Sequence, residues 1–125
     1  MTPQKNAVCR ATEGEVLDTA WGGIVWTASR QVGNSTTMTL GRATIRAGQS
    51  NPRHRHPNCD ELLHVIAGRI EHTLGDECCT MGPGDTISIP QGVWHQARAH
   101  GEDAVIVICF NSPDRLTEVD EQGSF

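Results

Sequence analysis

The sequence predicts an all-β chain of one domain, a sandwich or barrel built from many short strands. Three observations carry that prediction. Turn-forming residues recur at a nearly regular interval, the runs between them are short and β-favouring, and no run has the makings of a secure helix. The length of 125 residues is enough for one domain and too short for two of ordinary size. A domain of this size buries roughly two-thirds of its unfolded surface, so it folds without disulfide staples.

The elements follow in order. Residues 1–20 are polar and weakly patterned, and they predict an N-terminal arm, either mobile or laid down as an extra edge strand of the kind used in dimer contacts. Trp21-Gly22-Gly23 opens the barrel proper, expected over 21–112, with strands at 24–28 and 36–45 separated by Gly33-Asn34-Ser35. Gly48 to Pro52 and Pro57-Asn58 bracket a short polar segment, after which strands are expected at 62–66 and 69–74. Gly82-Pro83-Gly84-Asp85 turns the chain into a strand at 86–89. Pro90-Gln91-Gly92 then delivers His95 into the start of another, and a last strand covers 104–110. Residues 113–125 form a polar tail, too short to hold a helix.

Composition removes several classes of function. A net charge of −5 with no basic run argues against nucleic acid or an anionic membrane as partner. The longest apolar stretch, 104–110, is far short of the roughly 20 residues that span a bilayer. Met1 to Asn6 lack the apolar core of a secretory signal, so a cytoplasmic location is expected. The five cysteines (Cys9, Cys59, Cys78, Cys79 and Cys109) are odd in number, include an adjacent pair and contain no C-x-x-C. That pattern suits a reducing compartment rather than a disulfide framework or a zinc finger.

The chemistry concentrates in two segments. In the first, His54 and His56 are two residues apart, so on a strand both imidazoles share a face and reach a single point. Pro57-Asn58 lets the chain double back, and Glu61 opens the next apolar strand, a costly place for a core-facing carboxylate unless a cation neutralises it. The second segment places His95 just after a Pro-Gln-Gly turn. Three imidazoles and one carboxylate suit one divalent transition metal per chain, Fe, Mn, Ni, Co, Cu or Zn, with positions left open for water or substrate.

These segments resemble the two motifs of the cupin family. Gly48, His54, His56, Glu61 and Gly68 match G-x5-H-x-H-x4-E-x6-G at every fixed position. Gly84, Pro90, Gly92 and His95 match G-x5-P-x-G-x2-H-x3-N up to the histidine, whereas Ala99 stands where the family has asparagine. That asparagine is not a ligand in the family, so the metal expectation is unchanged. The motifs cover residues 48–99, about half the chain. The resemblance implies a double-stranded β-helix (jelly-roll) barrel, usually dimeric, with a metal in its mouth held by His54, His56, Glu61 and His95.

Other side chains have weaker signals. His72 shares a face with Ile70 and Leu74 and is either a partly buried histidine or a pocket acid/base. Cys59, in the loop between two ligands, binds metal, is oxidised, or packs. These two are the candidate catalytic residues. Alternation from an inward Glu61 turns His64 outward, and His100 beside a turn reads as solvated. Arg42 and Arg46 read as exposed, an inward arginine being the sign of a carboxylate substrate. Trp21, Trp26 and Trp94 are expected as core or dimer anchors, and Asp114-Arg115 as a local ion pair.

Two functions remain. One is a metal-dependent enzyme acting on a small molecule, by lyase, isomerase or dioxygenase chemistry. The other is a non-catalytic cupin module that captures a small ligand or sugar. The partners expected are therefore a small-molecule substrate or ligand and a second copy in a homodimer, with no nucleic acid and no membrane. Small cupin lyases acting on dimethylsulfoniopropionate are similar in size and metal set, but they use a tyrosine two residues after the glutamate ligand. Leu63 stands there, and the chain contains no tyrosine.

Overall fold

The computed structural model describes residues 7–121; residues 1–6 of the expected arm and 122–125 of the expected tail lie outside that span. In chain order the strands are β1 (Glu15–Asp18), β2 (Gly22–Ala28), β3 (Thr39–Ile45), β4 (His54–Arg55), β5 (Glu61–Ala67), β6 (Ile70–Leu74), β7 (Glu77–Met81), β8 (Thr86–Ile89), β9 (His95–Ala99), β10 (Ala104–Phe110) and β11 (Glu118–Val119). They form two antiparallel sheets, ordered β1-β2-β3-β10-β5-β8 and β11-β4-β9-β6-β7. No helix occurs among the described residues, and none is therefore long and apolar enough to cross a membrane.

Strict alternation builds the core. In β10, Ala104, Ile106, Ile108 and Phe110 face inward while Val105, Val107 and Cys109 face out. In β5, Glu61, Leu63 and Val65 are the buried set. Each large apolar side chain sealed in this way contributes about 1.5–3 kcal/mol. Trp26 packs against Phe110 with ring centroids 6.0 Å apart. A Cβ at position 41 would lie 2.5 Å from the Trp26 ring, so only glycine lets that indole rest on β3.

Three strand expectations need amendment. β7 was not anticipated, because its Glu-Cys-Cys-Thr run is exposed and lacks alternation; it is an edge strand bonded only to β6. The strand expected from residue 36 starts at Thr39, since Ser35 Oγ accepts from Met38 N and holds a turn there. In the expected tail, β11 pairs with β4, whereas β1 of the expected arm is the extra edge strand offered for it, bonded to β2.

The tryptophans divide by environment. Trp26 is core, Trp21 lines a cavity half-buried, and Trp94 lies half-buried beneath Arg55, whose guanidinium is 4.5 Å from the ring centroid. Arg42 and Arg46 are exposed, as alternation predicts. Outward residues of the larger sheet are notably apolar: Val16, Leu40, Leu62 and Ile66 are exposed, around half-buried Val25, Val107 and Cys109.

Candidate metal centre

At one region of the sandwich the facing side chains are polar. β4 presents His54, His56 follows it at the Pro57 turn, β5 presents Glu61 from the opposite sheet, and β9 presents His95 directly across from His54. The turn before His95 is tied to the ligand strand: Gly92, at φ +80°, donates its N–H to His56 O at 2.9 Å. One donor atom from each of the four side chains lies within 4.8 Å of every other.

Backbone carbonyls set the imidazole tautomers. Nδ1–H of His54 donates to Pro52 O at 2.7 Å, that of His56 to Leu116 O at 2.9 Å, and that of His95 to Val93 O at 2.9 Å. Each ring therefore turns a lone-pair Nε2 to the centre. His56 Nε2 and His95 Nε2 lie 3.1 and 3.0 Å from Glu61 Oε1, yet none of these three buried atoms has a hydrogen-bond partner. Electron-rich atoms gathered in a dry spot repel one another unless a cation sits among them. The donor set, nitrogen-rich with one carboxylate, fits a divalent transition metal.

The electrostatics agree. Burial, followed by the neighbouring His95 ring, pushes the His54 pKa down to about 3, so this imidazole is neutral and able to ligate. Burial pushes the Glu61 carboxyl up, whereas His56 and His95 with protonated Nε2 would hold it at about 2; with both Nε2 atoms bare, a cation has to supply that stabilisation instead.

The cluster borders a cavity of about 300 Å³, at the small end for ligand pockets. His72 lines it as well. Its ring is only 1% exposed, stacks on His95 with centroids 5.9 Å apart, and has no partner for either nitrogen. Burial lowers its pKa to about 4. Cys59 is buried to 2% and is not among the lining residues, and burial raises its thiol pKa. His64 faces outward and bonds Thr86 Oγ1, and His100 is exposed beside Glu71.

The expected Asp114-Arg115 ion pair does not form. Asp114 pairs with Arg30 at 2.7 Å, whereas Arg115 turns inward over the Trp26 and Phe110 rings and lines the cavity. The tail thus supplies both Arg115 and the Leu116 carbonyl that orients His56. Nothing in its local pattern marks these as inward, since the segment lacks a strand period.

The Cupin domain model matches residues 41–111, more than half of the chain. The chain is a cupin. This cupin is 35% identical over 85 residues to germin-like protein 3-8 of Oryza sativa subsp. japonica, covering 63% of the chain and 38% of that protein. It is 34% identical over 74 residues to gentisate 1,2-dioxygenase of a Ralstonia species, covering 58% of the chain and 20% of that enzyme. The cupin thus spans well under half the length of these relatives. Oxalate decarboxylase of Bacillus subtilis superposes with a TM-score of 0.80 at 22% identity, over 88% of this chain and 30% of that one. The corresponding enzyme of Lactobacillus farciminis gives 0.79 at 16%, over 86% and 34%. At such identities the structural likeness is one of fold.

Proposed function

We propose that this cupin is a metal-dependent enzyme acting on a small organic molecule, with His54, His56, Glu61 and His95 as the ligands of one divalent ion. The observation that carries the reading is the convergence of four donor atoms at the wall of a cavity, three of them buried without hydrogen-bond partners. A divalent ion there would supply Lewis acidity, polarising a substrate oxygen or acidifying a bound water. Fe, Mn, Ni, Co, Cu and Zn all suit the donors; Mn(II) centres are known in the Bacillus subtilis oxalate decarboxylase.

The chain's own residues divide the remaining work. The three carbonyl bonds hold each ligating ring in the required tautomer. His72, neutral and with two vacant ring nitrogens, is the group placed to accept or return a proton of the substrate. That arrangement favours catalysis, of lyase, isomerase or dioxygenase type, over a non-catalytic ligand module, which has no use for an unpartnered buried imidazole. A panel of hydroxy, keto and carboxylic acids and sugars, followed by NMR with and without oxygen, tests this. The expected result is turnover that requires metal and fails in His72→Gln. Saturable binding of panel members with no turnover by the metal-loaded protein would leave the module reading instead.

A second copy of the chain is the proposed occupant of the apolar outer face of the larger sheet. Leu62, Cys109 and Leu40 lie side by side on it across β5, β10 and β3. Arg42 is the only formal charge at the outward positions of those three strands, which leaves the face largely apolar. Sedimentation should give a dimer, and Leu62→Glu should give a folded monomer. A monomeric parent would contradict the assignment.

A further inference from the structure

Arg115 is the only arginine or lysine among the described residues lining the cavity. Its guanidinium lies 4.3 Å from the Trp26 ring centroid and 5.2 Å from that of Phe110, over both rings. Nη1 donates to Thr117 Oγ1 at 2.8 Å, while Nε is buried with no hydrogen-bond partner. Among the described residues it forms no ion pair, although the acids of its own tail do: Asp114 with Arg30, Glu118 with Arg55 and Asp120 with Arg53. The one acid in the lining, Glu61, is directed at the three imidazoles.

A guanidinium in this setting keeps its charge at any physiological pH, although burial lowers its pKa. A cation partly removed from water, with a vacant buried N–H and no counter-ion in contact, is costly until an anion completes it, although the Glu61 carboxylate lies near enough to favour its charge. The walls around it are apolar, including Trp21, Ile24, Leu63, Ile106 and Ile108. We propose that Arg115 binds the carboxylate of a small organic acid with an apolar body, and that it determines the site's selectivity for such acids. An acid seated in this way presents its body to the apolar wall and its remaining functional group to His72 and the four-donor cluster. A single planar donor group without a second cation suits a carboxylate better than a phosphate. The inference rests on reading this cavity as the substrate site; it does not require the metal.

The test uses benzoate and its neutral isostere benzamide, with binding followed by tryptophan fluorescence, since Trp21 and Trp26 line the cavity. Metal-free and Zn(II)-loaded protein are both titrated, so that direct ligation of the metal by benzoate is separated from binding at Arg115. Benzoate should bind metal-free protein at least about ten-fold more tightly than benzamide, as a charge-assisted hydrogen bond implies. R115M should remove that advantage, weakening benzoate far more than benzamide, with R115K intermediate. Retained benzamide binding also shows that the cavity is intact. Equal binding of the two probes, benzoate binding that survives R115M, or no benzoate binding would overturn the proposal. Metal content of the same samples keeps the two readings apart. Arginine-dependent binding without metal uptake counts against the metalloenzyme alone, and metal uptake with charge-blind binding counts against Arg115 alone.

Discussion

His95→Gln is expected to bind a divalent transition metal more than about 100-fold more weakly than the parent chain while remaining folded. Loss of a group that only orients a ligand costs about 10–100-fold in affinity, and His95 would be a ligand itself. Its Nε2 lies 3.0 Å from Glu61 Oε1 and its ring packs against those of both His54 and His56. Glutamine preserves most of the volume, and β9 stays anchored through its full pairing with β6. Folding should survive, because the parent gains nothing from crowded lone pairs when metal is absent. His72→Gln is the internal control: its ring is outside the four-donor cluster, and its metal affinity should stay near that of the parent. Competition titration with a chelating dye measures both. Retained tight binding in His95→Gln would place the ligands elsewhere.

Metal loading is expected to raise the melting temperature of the parent by about 10–20 °C. Free metal at about 1,000 times Kd stabilises the folded state by about 4 kcal/mol. A domain of this length shifts by roughly 3–5 °C per kcal/mol. The gain has a structural origin. His54 and His95 belong to one sheet and Glu61 to the other, so a bound ion joins the two layers and relieves the repulsion among their donors. Calorimetry with and without added metal reads the shift, which His95→Gln should largely abolish. A parent that melts at the same temperature in both conditions would count against a site built into the fold.

How much of this was legible in the sequence differs from place to place for physical reasons. The barrel was legible because turn residues recur at a nearly regular interval between short β-favouring runs; which face of β5 and β10 turns inward was not, since both runs are apolar on both faces. The four converging side chains were legible because His54, His56, Glu61 and His95 stand at fixed positions of the cupin motifs, with the two-residue spacing of the histidines and the place of Glu61 at the head of an apolar strand pointing the same way. His72 was placed inward by its neighbours Ile70 and Leu74, and its ring does line the cavity. Arg115 was misread. Its neighbour Asp114 offered an obvious local partner, but Arg30, distant in sequence, takes that acid instead. The arginine's own destination depends on Trp26 and Phe110, which only the folded chain brings together. β7 was missed for a similar reason, since an exposed edge strand leaves no periodic trace.

The central claim is that His54, His56, Glu61 and His95 hold a metal ion, and elemental analysis of protein purified without a histidine tag addresses it most directly. The account predicts close to one equivalent of a divalent transition metal per chain, either as isolated or after reconstitution and removal of excess ion. Protein that holds no metal even after exposure to an excess of each candidate ion would contradict it.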